Sequence, residues 1–165
     1  EGLRIVHACW SDNAINIIKK RRPNGYLKVE DLEEIAAKET EFARAVETIT
    51  SGPEAKLPED YSFIDNGGHE RQSVRLSWWS AENTTWKKAA LSVPDVDELP
   101  IGQLPAELIS EIYSAGAKPV LVGHYKMQGV PKIQSNNASS LDFPVNKCVY
   151  HWQGEAKLTD KNLVA

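Results

Sequence analysis

Methionine occurs once, at Met127, and cysteine only twice, at Cys9 and Cys148. Two cysteines so far apart make neither a disulfide scaffold nor a paired-cysteine metal knuckle. They are expected to be two reduced, buried thiols of a cytoplasmic protein. No stretch approaches the roughly 18 apolar residues that a membrane helix needs. Glu1-Gly2-Leu3-Arg4 lacks the basic start and apolar run of a secretory leader. Without such a leader, the sequons at Asn83-Thr84-Thr85 and Asn137-Ala138-Ser139 read as chance matches. A basic excess is also missing. Lys and Arg number 19 against 23 Asp and Glu, a net charge of −4, which argues against a nucleic-acid backbone binder. There is no HExxH, no GxSxG, no GxGxxG and no Walker loop, so the chemistries those motifs serve are set aside. With its single methionine at Met127, a chain beginning at Glu1 is expected to be processed or a piece of something longer.

What is present is an ordinary folded composition. The 165 residues are 41% hydrophobic and 25% charged, which fits a single domain over 1–165 with a sizeable core. Arg4 to Cys9 reads as a buried strand. Ser11 then caps a helix whose apolar face is Ala14, Ile15, Ile17 and Ile18. That helix ends in Lys19-Lys20-Arg21-Arg22, cations that suit the negative end of a helix dipole. The spacing of Leu32, Ile35, Ala36, Phe42, Ala45, Val46 and Ile49 predicts one longer helix from Val29 to Ile49. Asn66-Gly67-Gly68 marks a turn between two strands. Ser73 to Trp79 alternates as a strand, which would send Trp78 and Trp79 to opposite faces; a groove-lining ring is one reading, and packing in the core or between elements is the favoured one. A short helix over 84–91 carries Trp86, and 93–105 reads as loop.

Pro105 opens another helix through Leu108, Ile109, Ile112 and Tyr113, ending at Gly116. Lys118 to Val122 is a strand. Val130–Ile133, Ser139–Phe143 and Lys147–Trp152 read as further strands. The fold class is α/β, an α+β mixture, with 52–104 as an insert or cap.

Two strands end alike. Ile5-Val6-His7 and Leu121-Val122-Gly123-His124 each run apolar residues straight into a histidine. Ligands of α/β sheets collect beyond the carboxyl ends of strands, and a neutral imidazole there can ligate a metal. Two histidines are an incomplete set, because catalytic zinc takes three protein ligands and two-metal sites take more.

Arg4 to Trp10, with its Val6-His7-Ala8-Cys9-Trp10 core, resembles a segment of bacterial calcineurin-like metallophosphoesterases, near the symmetrical diadenosine tetraphosphatases and the serine/threonine phosphatases. Lys118 to Tyr125 is similar to that family's later Gly-His-Tyr element. Asn136 to Phe143 and Val149 to Glu155 resemble its tail. The resemblance implies part of a four-layer αββα sandwich whose N-terminal half is missing. It implies His7 and His124 as ligands of one of two divalent cations (Mn, Fe, Zn or Ni), with Tyr125 and Arg75 touching the substrate. It implies hydrolysis of a phosphomonoester or nucleotide polyphosphate, the partner being a phosphorylated small molecule, nucleotide or phosphoprotein. The family's Asp-x-His, Gly-Asp-x-x-Asp-Arg-Gly and Gly-Asn-His-Glu elements do not occur. The catalytic groups are therefore expected upstream of Glu1, and this chain alone is expected to be inactive and to self-associate as a homo-oligomer. The competing readings are a non-catalytic binding module that kept the family's C-terminal half, and a structural domain whose histidines only satisfy hydrogen bonds.

Overall fold

The computed structural model describes residues 2–80, 82–109 and 113–164. The chain is mixed α+β. Its strands are β1 (Arg4–Val6), β2 (Glu54–Lys56), β3 (Phe63–Ile64), β4 (Glu70–Arg71), β5 (Ser73–Leu76), β6 (Ala90–Leu91), β7 (Val120–Val122), β8 (Ala138–Ser140), β9 (Val149–Tyr150) and β10 (Leu163–Val164). Its helices are α1 (Asp12–Arg21), α2 (Leu32–Ala37), α3 (Glu41–Ser51), α4 (Trp86–Ala89) and α5 (Ala106–Ile109). Among the described residues, no helix is long and apolar enough to cross a membrane.

The sheet that matters for the histidines is parallel, in the order β1-β7-β8, with Val6 opposite Val122 and Val122 opposite Ser140. Every residue of β7 and β8 is buried. β1 lies at the edge and leaves Ile5 74% exposed. A second sheet, β2-β5-β6, and the β3–β4 hairpin are antiparallel. They close over their own apolar cluster of Ala55, Leu57, Phe63, Val74, Leu76, Trp86, Leu99 and Leu104. Another cluster joins Ala8, Cys9, Trp78, Trp79, Tyr113, Val120 and Tyr125 beside the parallel sheet.

α1 begins where Ser11 accepts the Ala14 N–H, as its sequence signal predicts. The single helix expected over 29–49 is instead three pieces. Val29–Asp31 is a 3-10 turn, α2 follows, Lys38 turns left-handed at φ 58°, and Thr40 starts α3 by accepting the Ala43 N–H. Helical spacing of apolar residues is the same in one long helix as in two stacked in series. The signal that separates them is Thr40-Glu41, an N-cap with an acid in the first turn.

Three further expectations shift. β5 stops at Leu76, so two-residue alternation no longer applies to Trp78 and Trp79. Both rings are buried, edge to face at 5.4 Å, and neither lines a groove. The helix expected from Pro105 is Ala106–Ile109 within the described residues, and Ile112 lies outside them. Val130–Ile133 forms no strand. Among the described residues neither cysteine forms a disulfide, and Cys9 is buried while Cys148 is only half-buried.

The basic end of α1 is held by acids rather than left to a ligand. Asp31 is fully buried and takes hydrogen bonds from Arg22 Nε (2.9 Å), Arg22 Nη2 (2.7 Å) and the Lys28 N–H (2.8 Å), with Arg21 at 3.1 Å. The Arg22 hydrogen bonds, followed by the Lys28 N–H, hold its carboxyl down at about 2. A pKa below the unfolded value means stability that is present above about 3.9 and lost as the pH falls through the folded value. Asp31→Asn is therefore expected to lower the melting temperature by several degrees at pH 7. The gap to the parent should shrink between pH 4 and pH 2. An unchanged gap at the lowest pH at which both proteins still fold would show that the carboxylate charge is not what matters there.

Candidate metal centre

Parallel pairing of β1 with β7 brings the two strand-end histidines together across 117 positions of sequence. The His7 carbonyl accepts the Gly123 N–H at 3.0 Å, which locks the two strand ends side by side. His7 Nε2 then lies 3.2 Å from His124 Nδ1, with ring centroids 5.0 Å apart. His124 has φ +65°, and the Tyr125 N–H bonds back to the Gly123 carbonyl at 2.7 Å. A hydrogen bond across two residues with positive φ at the middle one is a γ-turn of the rare, strained hand. Strain of this kind costs on the order of 1–3 kcal/mol and persists only where the surroundings impose it.

The surroundings here are aromatic. Tyr125 is 1% exposed, packs edge-on to Trp79 and to His124 at 5.4 Å each, and accepts a hydrogen bond from Trp78 Nε1 at 3.1 Å. Burial pushes its phenol well above the ordinary range. Tyr125 was expected to touch a substrate. Its ring instead stands behind His124 as a prop, because the chain reverses at His124 and sends the next side chain into the core.

Burial, then the positive charge of Arg75, lowers the His124 pKa. The ring is thus neutral at pH 7 and keeps a lone pair. Its Nε2 is buried without a hydrogen-bond partner. His7 is exposed. The pair suits a cation in two respects. Both rings are nitrogen donors of the kind that Zn, Fe and Ni accept. Two nitrogens each about 2.0–2.1 Å from one cation and 3.2 Å apart would subtend about 100°, between the octahedral and tetrahedral angles. Without a cation, the same contact is a hydrogen bond in which one imidazole donates to the other. Among the described residues, no group of three or more His, Cys, Asp or Glu could hold a metal.

His124 opens onto a cleft of about 820 Å³ lined by residues that include Glu54, Asp65, Glu70, Arg71, Arg75, Ser92 and Lys126. Arg75 sits on β5 directly opposite Glu54 and pairs with it at 3.3 Å through Nε. The expected site residues His7, His124 and Arg75 thus converge on one end of the molecule. Asp65 to Arg71 is a hairpin turn, as its sequence reads. Asp65 takes the His69 N–H, the Arg71 guanidinium and the Gly67 N–H, which together hold its carboxyl well below the usual range. Glu54, Ser92 and Lys126 were not picked out as site residues from the sequence. Only Lys126, two places after the strand-end histidine, carried a signal that could have found it.

No family model, no curated protein and no solved structure matches this chain.

Proposed function

We propose that this chain is the imidazole-bearing part of a metal-dependent phosphoester hydrolase of the calcineurin-like class. The observation that supports the reading is the 3.2 Å approach of two imidazole nitrogens at the carboxyl ends of adjacent parallel strands. In the complete molecule, a four-layer αββα sandwich, His7 and His124 would hold one of two divalent cations. When bound, such cations polarise the phosphoryl oxygens and lower the pKa of a water. The chain's own residues keep His124 neutral by burial, fix its ring through Tyr125 and Trp79, and offer the Arg75 guanidinium toward substrate oxygens in the cleft. Two imidazoles do not supply the carboxylates that offset two dications, so we place those on a further segment or a second chain. The substrate is a phosphorylated small molecule, a nucleotide or a phosphoprotein. The exposed Ile5 on the edge strand favours self-association of the chain on its own.

The test is a substoichiometric Mn²⁺ titration followed by NMR, with turnover of p-nitrophenyl phosphate measured on the same sample. Line broadening confined to residues around His7 and His124, with hydrolysis at background, is expected. Uniform broadening would remove the metal reading and leave a binding module or a structural domain. Robust metal-dependent turnover by this chain would overturn the assignment of the carboxylates to another segment.

A further inference from the structure

The cleft beside His124 holds charges of both signs, but they are not equally engaged. Its carboxylates have partners within the protein. Glu54 meets Arg75 at 3.3 Å, Asp65 meets Arg71 at 2.7 Å and two backbone N–H groups, and Glu70 accepts the Ser62 hydroxyl at 2.7 Å. The cations are less well satisfied. Lys126 is exposed and makes no ion pair among the described residues. Arg75 Nε is buried and makes no hydrogen bond, its 3.3 Å approach to Glu54 being an ion pair only, while the third cation of the cleft, Arg71, is held by Asp65. A buried N–H left unpaired costs roughly 1–3 kcal/mol, so a native structure that keeps one calls for an explanation.

Three more observations bear on what would fill the cleft. The other buried side-chain polar atom without a partner among the described residues is His124 Nε2, on the same cleft. Among the described residues, two of the three non-glycine residues with positive φ, Ser92 at 60° and His124 at 65°, line it as well; the third, Lys38, is explained as the end of α2. Strain that gathers at one cleft points to a site rather than to chance. Lastly, apart from the His124 imidazole, the aromatic lining among the described residues is Phe63, which is buried, so no exposed phenyl, phenol or indole ring lines the cleft to stack a base. Recognition here rests on charge and hydrogen bonding.

We propose that Lys126 and Arg75 form a subsite for a phosphate-type oxyanion on the leaving portion of the substrate, making Lys126 a specificity-determining residue. An oxyanion lying between them receives the ammonium as a point charge and the guanidinium N–H groups as directed donors. Lys126 follows His124 by two residues, and both line the cleft together with Arg75. The subsite's role toward a substrate rests on the phosphoester hydrolase reading. Its binding of an anion does not.

The experiment is a ¹H–¹⁵N NMR titration of the full chain with inorganic pyrophosphate, in EDTA and at ionic strength held constant with NaCl. Saturable shifts at residues 75, 92 and 124–126 are expected. Lys126→Ala should weaken binding at least about tenfold, the worth of one charge-assisted hydrogen bond. Lys126→Arg should stay within about threefold of the parent, since it keeps the charge. His151→Ala, an exposed histidine just after β9, should leave the affinity unchanged. EDTA removes metal from the measurement, so these results hold even if His7 and His124 bind no cation. The proposal is overturned if the parent shows no saturable shift at the cleft, if Lys126→Ala titrates like the parent, or if His7→Ala abolishes binding and so places the anion on the histidine pair.

Discussion

Replacing His124 with Gly is expected to weaken Zn²⁺ binding at least about 100-fold, the upper end of what even an outer-shell partner of a ligand contributes. Gly is the informative substitution because φ +65° suits it. The turn and the aromatic cluster behind it should therefore survive, and the loss can be assigned to the imidazole. His7→Ala should cause a similar loss, since each ring supplies one of two nitrogens 3.2 Å apart. The double variant should be no worse than the weaker single one, because one imidazole alone is not a site. His69 sits in the β3–β4 turn, where its ring meets Asp65, and His151 just after β9, and their alanine variants should bind like the parent. Isothermal titration of the five variants settles the matter. Equal affinity across all of them would mean that Zn²⁺ is not held by the strand-end pair.

Gly52→Ala should be the most destabilising single-methyl change examined in the chain. Gly52 closes α3 with φ +81° and ψ 175°, a region that side chains almost never adopt. A methyl built there would lie 1.9 Å from the Tyr125 hydroxyl oxygen and 3.0 Å from the ring carbon that bears it. Backbone strain and overpacking each cost about 1–3 kcal/mol, and together they predict a loss of roughly 3–5 kcal/mol. For a chain of this length that is a drop in melting temperature on the order of 10 °C. The consequence reaches the histidines, because Tyr125 is the prop of His124.

A double-mutant cycle separates the two causes. Tyr125→Phe removes the oxygen that the methyl meets, and alone costs about 1 kcal/mol for the bond from Trp78. Adding Gly52→Ala to Tyr125→Phe should then cost about 1–3 kcal/mol, the backbone part together with what remains of the contact to the ring carbon at 3.0 Å. Strict additivity of the two changes would show that the steric contact does not form.

The comparison of sequence with structure is instructive where it succeeds and where it fails. Local signals were enough for α1, because Ser11, the apolar spacing and the basic last turn all lie within a dozen residues. The same holds for the β3–β4 turn, where Asn66-Gly67-Gly68 has few conformations open to it. The break between α2 and α3 was missed because apolar periodicity runs through it unchanged, while a single hydroxyl at Thr40 marks the new start. Core packing of Trp78 and Trp79 was the favoured reading and holds, but their alternation as strand residues does not, because the end of β5 is set by long-range bonds, the Ser77 N–H to the Ala89 carbonyl and the Trp78 indole to the Ala8 carbonyl. No window of neighbouring residues contains those partners.

The sequence by itself determined that His7 and His124 each close an apolar strand, because a run of β-branched residues followed by a polar one can be read from its own neighbours. It equally determined the cap of α1 and the hairpin turn. Only the tertiary structure decided that β1 and β7 are adjacent and in register, which is what turns two separate histidines into a pair. It also decided that Tyr125 faces inward, since the handedness of the turn at His124 is imposed by the packing of Gly52, Trp78 and Trp79 around it. The reason is physical: hydrogen bonds within a turn or a cap are paid for locally, whereas strand pairing and aromatic packing draw their free energy from residues far apart in the chain.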